Sequence, residues 1–366
     1  MSEGERTVGG FISLIHNWSR TEPFWLERQL RDEGFRVESY APHAFPFRWR
    51  GRPRALISHV DTMLLGWQAA RRAASEDGCV VATGDYMAGI FSSLTPPPFG
   101  HHRPPVLCVN MILYDKPGTR TRLRKFLHRL AISHSTVRFT VSTAEQCDHY
   151  ARLLGANREP PQERFVALTD CWAPVHRGFL RHNVEDDGGY VFVGGEAARD
   201  WKTALSVAEC LGEIPFVFVA RRRRWHDMPL PPNIDLIFDL PLPEFMETMA
   251  GARVVLLPLI EDSPTAGLLV LTHAGLMGRF VLVTRTPFTE QYFPPECQDL
   301  LVPVSDSGAL VERITRWWSN HDDRTAAATR LRAYILERHS PEAYAERIAG
   351  EVGRMLAEDA SPSKRP

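Results

Sequence analysis

Short apolar runs bounded by glycine, proline or charged residues recur along this chain, and longer stretches between them carry apolar residues every three or four positions. Runs of the first kind read as strands buried on both faces, and stretches of the second kind as amphipathic helices lying over them. In the first half the predicted strands are 11–16, 35–40, 55–59, 79–83, 106–111, 138–141 and 165–168, with helices over 23–33, 61–74, 122–133 and 144–154. In the second half the predicted strands are 190–193, 216–220, 234–238, 254–257 and 280–283. Helical spacing there covers 201–211, 242–250, 267–277, 309–319, 325–338 and 341–358. Strands alternating with helices predict parallel sheets covered by helices, the α/β class.

The alternation lapses after Asp170, where DCWAPVHRGFLRHNVEDDGG has no sustained period and closes on an acidic, glycine-rich turn. A chain of 366 residues is also long for one core. The expected organisation is an N-terminal Rossmann-like domain over 1–172, a linker over 173–189 and a second Rossmann-like domain over 190–340. A terminal helix over 341–366, with its tail, is expected to cross back to the first domain. Two doubly wound domains facing across a cleft would take their ligand there, at the carboxyl ends of the strands.

Composition removes several function classes. A formal net charge of −1 recruits neither nucleic acid nor an anionic surface through a global field. No apolar run approaches the ~20 residues of a spanning helix, and MSEGERTVGG lacks the basic-then-apolar order of a signal sequence. The expectation is a cytoplasmic protein with no nucleic-acid partner, no membrane association and an open oligomeric state. Six cysteines without a CxxC pair predict neither disulfide framework nor metal site, and Cys79, Cys108 and Cys210 read as small core residues. His101 and His102 lack a third ligand at usable spacing. The arginine run 221–224 has no interleaved aromatics, so one arginine at most is expected to face a ligand and the rest to be solvated. Trp317 and Trp318 read as packing against the neighbouring domain.

Two segments of the second half carry candidate chemistry. Residues 252–292 read as strand, loop, helix and strand, and such a unit aims unpaired N–H groups and a helix dipole at one point. Thr265, Ala266 and Gly267 are small enough to admit a phosphate there. Upstream, a buried strand runs into Gly194 and Gly195, followed by Arg199 and Lys202 one helical turn apart. Two cations there would neutralise a diphosphate; a capped helix with solvated Arg and Lys fits the same residues. In the first half Asp85 follows a strand, His16 and Asn17 end another, and Asn110 ends a third. Each could face a ligand, and each could equally cap a turn.

Taken together, these segments resemble glycosyltransferases of the two-domain GT-B fold, in particular family 4 and its relatives. The resemblance is carried by LERQLRDEGFRV at 26–37, residues 80–88 and 141–168, and then by 193–205, a GG-x-x-x-RD-x-x-T phosphate-binding turn. LPPNIDL at 230–236, residues 256–258 and 265–278, TRTPFTEQY at 284–292 and LVPVSDSGAL at 301–310 follow in the family's order. It implies a nucleoside-diphosphate sugar as donor, no other cofactor, no metal, and transfer with retention of configuration. Arg199 and Lys202 would grip the diphosphate, helped by the amides of Ala266, Gly267 and Leu268, and Glu290 would orient the donor. Asp85 would position the acceptor or act as a base, with His16, Asn17 and Asn110 on the acceptor side. The family's two glutamates, eight residues apart, fall on Thr265 and His273, so both carboxylates are absent. Glu261 or Asp262 could reach the sugar instead, and His273 could bond a ribose hydroxyl. The expected acceptor is a small soluble natural product or saccharide, because no obvious docking helix stands out; 122–129 comes nearest. An inert binding scaffold, and another nucleotide-sugar enzyme such as an epimerase, stay open.

Overall fold

The computed structural model describes residues 9–17, 24–41, 52–84, 86–113, 118–156, 161–179, 188–225, 229–260 and 265–361. Two compact units emerge, Met1–Asp170 with Glu342–Pro366, and Cys171–Pro341.

In the first unit the order is β1 (Phe11–Ile15), α1 (Trp25–Asp32), β2 (Arg36–Tyr40), α2 (Arg52–Ser75), β3 (Cys79–Ala82) and α3 (Tyr86–Leu94). There follow β4 (Val106–Cys108), α4 (Thr119–Ile132), β5 (Val137–Val141), α5 (Ala144–Leu154), α6 (Pro161–Arg164) and β6 (Phe165–Ala167). All six strands pair in parallel, in the order β2-β1-β3-β4-β5-β6. Every residue of β1, β3 and β4 is buried, which is why these strands read as unbroken apolar runs.

Two local readings need correction. Residues 55–59, expected as a strand, belong to α2, a 24-residue helix. A short apolar run has no period of its own to separate strand from buried helix, and Pro53 sits in the first turn of α2, where proline is tolerated. Helix α3 was not anticipated, because its Met-Ala-Gly-Ile-Phe sequence has no polar face. Small residues let it sit deep: a Cβ on Gly89 would lie 2.7 Å from Cys108 Sγ, and one on Gly66 of α2 would lie 2.5 Å from the Ala88 carbonyl. Ser92 Oγ donates to the Gly66 carbonyl at 2.8 Å and fixes that crossing.

The second unit runs β7 (Val191–Gly194), α7 (Trp201–Cys210), β8 (Phe216–Ala220), β9 (Ile234–Phe238), α8 (Leu242–Ala250) and β10 (Val254–Leu257). It continues with α9 (Leu268–Leu276), β11 (Phe280–Thr284), α10 (Pro287–Glu290), β12 (Leu301–Val302), α11 (Ser307–Trp318) and α12 (His321–Arg338). Its parallel sheet has the order β12-β11-β10-β7-β8-β9, so the winding direction reverses between β7 and β10. Asp200 caps α7 by accepting the Thr203 N–H at 3.1 Å. Cys210, expected in the core, ends α7 exposed, because the helix's apolar stripe falls on Ala204, Val207 and Ala208. Trp317 packs on Phe280 of its own unit, ring centroids 4.9 Å apart. No helix among the described residues is long and apolar enough to cross a membrane.

The last helix, α13 (Pro341–Asp359), packs with the first unit. Its Glu351, fully buried, accepts from Arg138 of β5 at 2.6 Å, and Arg347 donates to the Thr169 carbonyl at 3.1 Å. Removing Arg138 leaves the buried Glu351 carboxylate with the exposed Arg354 as its remaining ion-pair partner. Arg138→Ala should therefore cost about 2 kcal/mol of stability and speed amide exchange along α13, read by thermal melting and hydrogen exchange.

Candidate functional site

The site of the second unit grows from the two strand ends at the reversal point, the position where doubly wound sheets take ligands. β7 leaves the sheet through Gly194 and Gly195, the latter at φ +106°, a left-handed conformation that side chains disfavour. The chain then lies beside the exit of β10: Asp200 N–H donates to the Pro258 carbonyl at 3.0 Å, and Ile260 N–H to the Ala198 carbonyl at 2.9 Å. That short antiparallel contact, centred on Arg199 and Leu259, holds the residue before α7 against the loop that leads into α9. Gly267, at φ +85°, turns the chain into the first residue of α9, Leu268.

Arg199 points inward. The residue is only 7% exposed, and its Nε and Nη1 are buried without a hydrogen-bond partner. Burial pushes its guanidinium down to about 9, which leaves it cationic at neutral pH. A buried cation with no partner is expensive, and an anion against it would relieve the cost. The space for one is present: a cavity of about 470 Å³ is lined by Gly195, Glu196, Arg199, Thr265, Gly267 and Leu268 on one side. Val219, Leu240, Leu242 and Phe245 line an apolar part. The first turn of α9 thus borders the same space as the guanidinium, and both favour negative charge.

The chain has relatives of this shape. Residues 199–350, opening on Arg199, match the family model described as glycosyl transferase-like. That match spans less than half of the chain, and the fold as a whole is that of the two-domain GT-B glycosyltransferases. No curated protein matches it in sequence. Sucrose-phosphate synthase from Thermosynechococcus elongatus aligns over 96% of this chain and 100% of its own, at TM-score 0.62 and 13% identity. Anabaena HepE, solved with UDP-glucose, aligns over 94% and 100% at TM-score 0.56 and 10% identity. The α,α-trehalose 6-phosphate synthase from Burkholderia multivorans aligns over 98% and 99% at TM-score 0.59 and 10% identity.

Within this fold the residues singled out from sequence take different places. Arg199, Gly195, Thr265, Gly267 and Leu268 line the cavity together, with Ala266 buried between two of them and Gly194 buried at the end of β7. Lys202 is exposed on α7 and does not line it. His273 is 1% exposed inside α9, its Nδ1 2.5 Å from the Leu269 carbonyl, and Glu290 pairs with Arg285 at 2.6 Å. Neither borders the cavity. Glu261, Asp262 and Asp85 lie outside the described residues.

In the first unit the winding reverses between β1 and β3. His16 and Asn17 follow β1 and Gly84 follows β3, so they share that reversal point. His16 is buried, donates its N–H to the Tyr40 carbonyl at 3.0 Å and stacks on Phe24, centroids 4.5 Å apart. Asn17 is exposed, and its amide lies where a Cβ on Gly84 would stand, 2.5 Å from Oδ1. Asn110, at φ +57°, is held by a 2.8 Å bond from its N–H to Thr140 Oγ1, and its Nδ2 donates to Asp170 at 3.0 Å.

Sequence reasoning missed a charged rim on the cavity of the second unit. Glu196 accepts from Arg221 Nε at 2.6 Å and Arg223 Nη2 at 3.3 Å, and Arg221 stands 3.6 Å from Asp239. The bond from Arg221 holds the Glu196 carboxyl below its ordinary value. Among the described side chains of the arginine run, Arg221 borders the cavity, together with Glu196 and Asp239. Asp239 carried one usable signal: it directly follows an apolar run ahead of Pro241. Among the described residues no cluster of His, Cys, Asp and Glu could hold a metal ion.

Proposed function

We propose that this transferase works in the cytoplasm, moving a sugar from a nucleoside-diphosphate sugar to an acceptor hydroxyl, with retention of configuration and without a divalent metal. The observation that carries the reading is the buried Arg199 guanidinium, two of whose nitrogens lack partners in a cavity bordered by the N-terminus of α9. The diphosphate would supply those partners. As the bond between the anomeric carbon and the phosphate oxygen breaks, its electron pair passes to that oxygen. Arg199 and the amides at Gly267 and Leu268 would face the charge that develops there. Donors already fixed in place stabilise such charge more in the transition state than in the ground state. The apolar part around Leu240 and Phe245 suits a nucleoside, and HepE, of the same fold, was solved with UDP-glucose. Lys202, exposed on α7, would assist only as a distant charge, leaving Arg199 the principal group.

Incubating the full chain with a panel of UDP-, GDP-, ADP- and dTDP-sugars, with and without EDTA, tests this reading. Release of nucleoside diphosphate from at least one donor, unchanged by EDTA, and a product with the donor's anomeric configuration by NMR are expected. Silence across the panel would favour the inert scaffold. Loss in EDTA would refute metal independence, and an inverted product would refute retention.

A further inference from the structure

Apolar side chains face solvent on two helices of the first unit. On α4, Leu123 and Phe126 are each 59% exposed and Leu130 is 42% exposed. Their spacing of three and four residues sets them on one face, together with exposed Arg122 and Arg129. The opposite face, His128, Ala131 and Ile132, is buried. On α2 the same spacing aligns Val60, Met63, Leu64 and Trp67, all between 45% and 51% exposed, while Leu65, Ala69 and Ala73 face the core. Arg71 lies over the Trp67 ring, 5.0 Å from its centroid.

The two faces belong to one layer. The connections from β2 to β3, β3 to β4 and β4 to β5 all advance in one direction along the sheet, and right-handed crossovers then put α2, α3 and α4 on the same side. Helix α3 packs against both neighbours. Seven large apolar side chains on the outer surface of one layer are more than scattered exposure accounts for.

We propose that the outer faces of α2 and α4 dock the transferase on an anionic phospholipid surface. Charge selects this occupant. Helix α4 holds five cations, Arg120, Arg122, Arg124, Lys125 and Arg129, and no acidic residue, in a chain whose net charge is −1. The one acid of α2, Asp61, is 7% exposed and turned from this face. Apolar side chains flanked by Arg and Lys match a bilayer interface, where the former enter the acyl boundary and the latter meet phosphate headgroups. A second copy fits poorly, since a two-fold contact would set the cations of α4 against themselves. Docking favours an acceptor presented at that surface over the small soluble natural product or saccharide expected from sequence. It goes beyond the proposed transfer reaction and does not depend on it.

The test is sedimentation of the full chain with vesicles of phosphatidylcholine alone or mixed with phosphatidylglycerol, at low and high salt, with no donor or acceptor present. Binding to the mixed vesicles, at least ~10-fold above neutral ones and weakened by salt, is expected. Leu123→Ser/Phe126→Ser and, separately, Arg122→Gln/Arg129→Gln should each lower it by about 10-fold. The second pair tests charge alone, should the first fold poorly. No binding to mixed vesicles at low salt would overturn the proposal, as would binding unchanged in both variants. So would self-association by light scattering that the same substitutions abolish. Loss of docking would leave the transfer reading standing, and absence of turnover would leave the docking standing.

Discussion

Arg199→Ala should lose donor turnover by at least about 100-fold while the folded protein becomes more heat-stable. Both halves come from one observation. The guanidinium is 7% exposed with Nε and Nη1 unpartnered, so in the absence of ligand it is a desolvated charge without compensation. Deleting it removes that cost and raises the melting temperature. It also removes the group best placed to stabilise a departing diphosphate, and losing one such donor typically slows an enzyme by about 100- to 1000-fold. Arg199→Lys should recover little, because a point charge does not reproduce a planar fork of donors. Steady-state kinetics and thermal melts on the same preparations check the pair. A variant that melts lower, or turns over donor at the parental rate, would show that Arg199 serves the fold and not the ligand.

Gly195→Ala should disable the same site through a single methyl group. A Cβ at this position would stand 2.4 Å from Arg199 Nη2, closer than any real contact, and the backbone there is at φ +106°. Either the guanidinium moves or the turn after β7 does. The left-handed backbone alone costs about 1–3 kcal/mol for a residue with a side chain, and a displaced Arg199 forfeits its aim at the cavity. Donor turnover should fall at least ~10-fold, with nucleoside diphosphate affinity falling alongside it in calorimetry. In the double variant with Arg199→Ala the loss should match that of Arg199→Ala alone, since the methyl then has nothing left to displace. Fully additive losses would mean that Gly195 acts by another route.

Strands of the second unit were legible because buried parallel strands are written as unbroken apolar runs. Residues 216–220 and 254–257 coincide with β8 and β10, while 234–238 coincides with β9, a half-exposed edge strand interrupted by Asp235. Helices with a polar face, such as α5 and α8, were legible by period at 144–154 and 242–250. Segments apolar on every side were not. Residues 55–59 passed for a strand and α3 went unseen, since without a polar face neither repeat shows. The two turns that line the cavity were legible as types: glycines after a strand, cations on the next helix, small residues before another. Which cation enters was not. Arg199 lies ahead of the first turn of α7, tethered beside Leu259, whereas Lys202 sits on the exposed side of that helix.

Local composition and period, by themselves, determined the α/β class, the run of elements through the second unit, and a phosphate-binding reading of the Gly195 and Gly267 turns. Those properties depend on neighbours along the chain. Tertiary structure alone decided that Arg199 is buried without a partner, that Glu196, Arg221 and Asp239 meet at one rim, and that the apolar faces of α2 and α4 look outward. Each of these turns on what the sheet's strand order places next to a side chain, and residues that far apart in sequence leave no shared period to read.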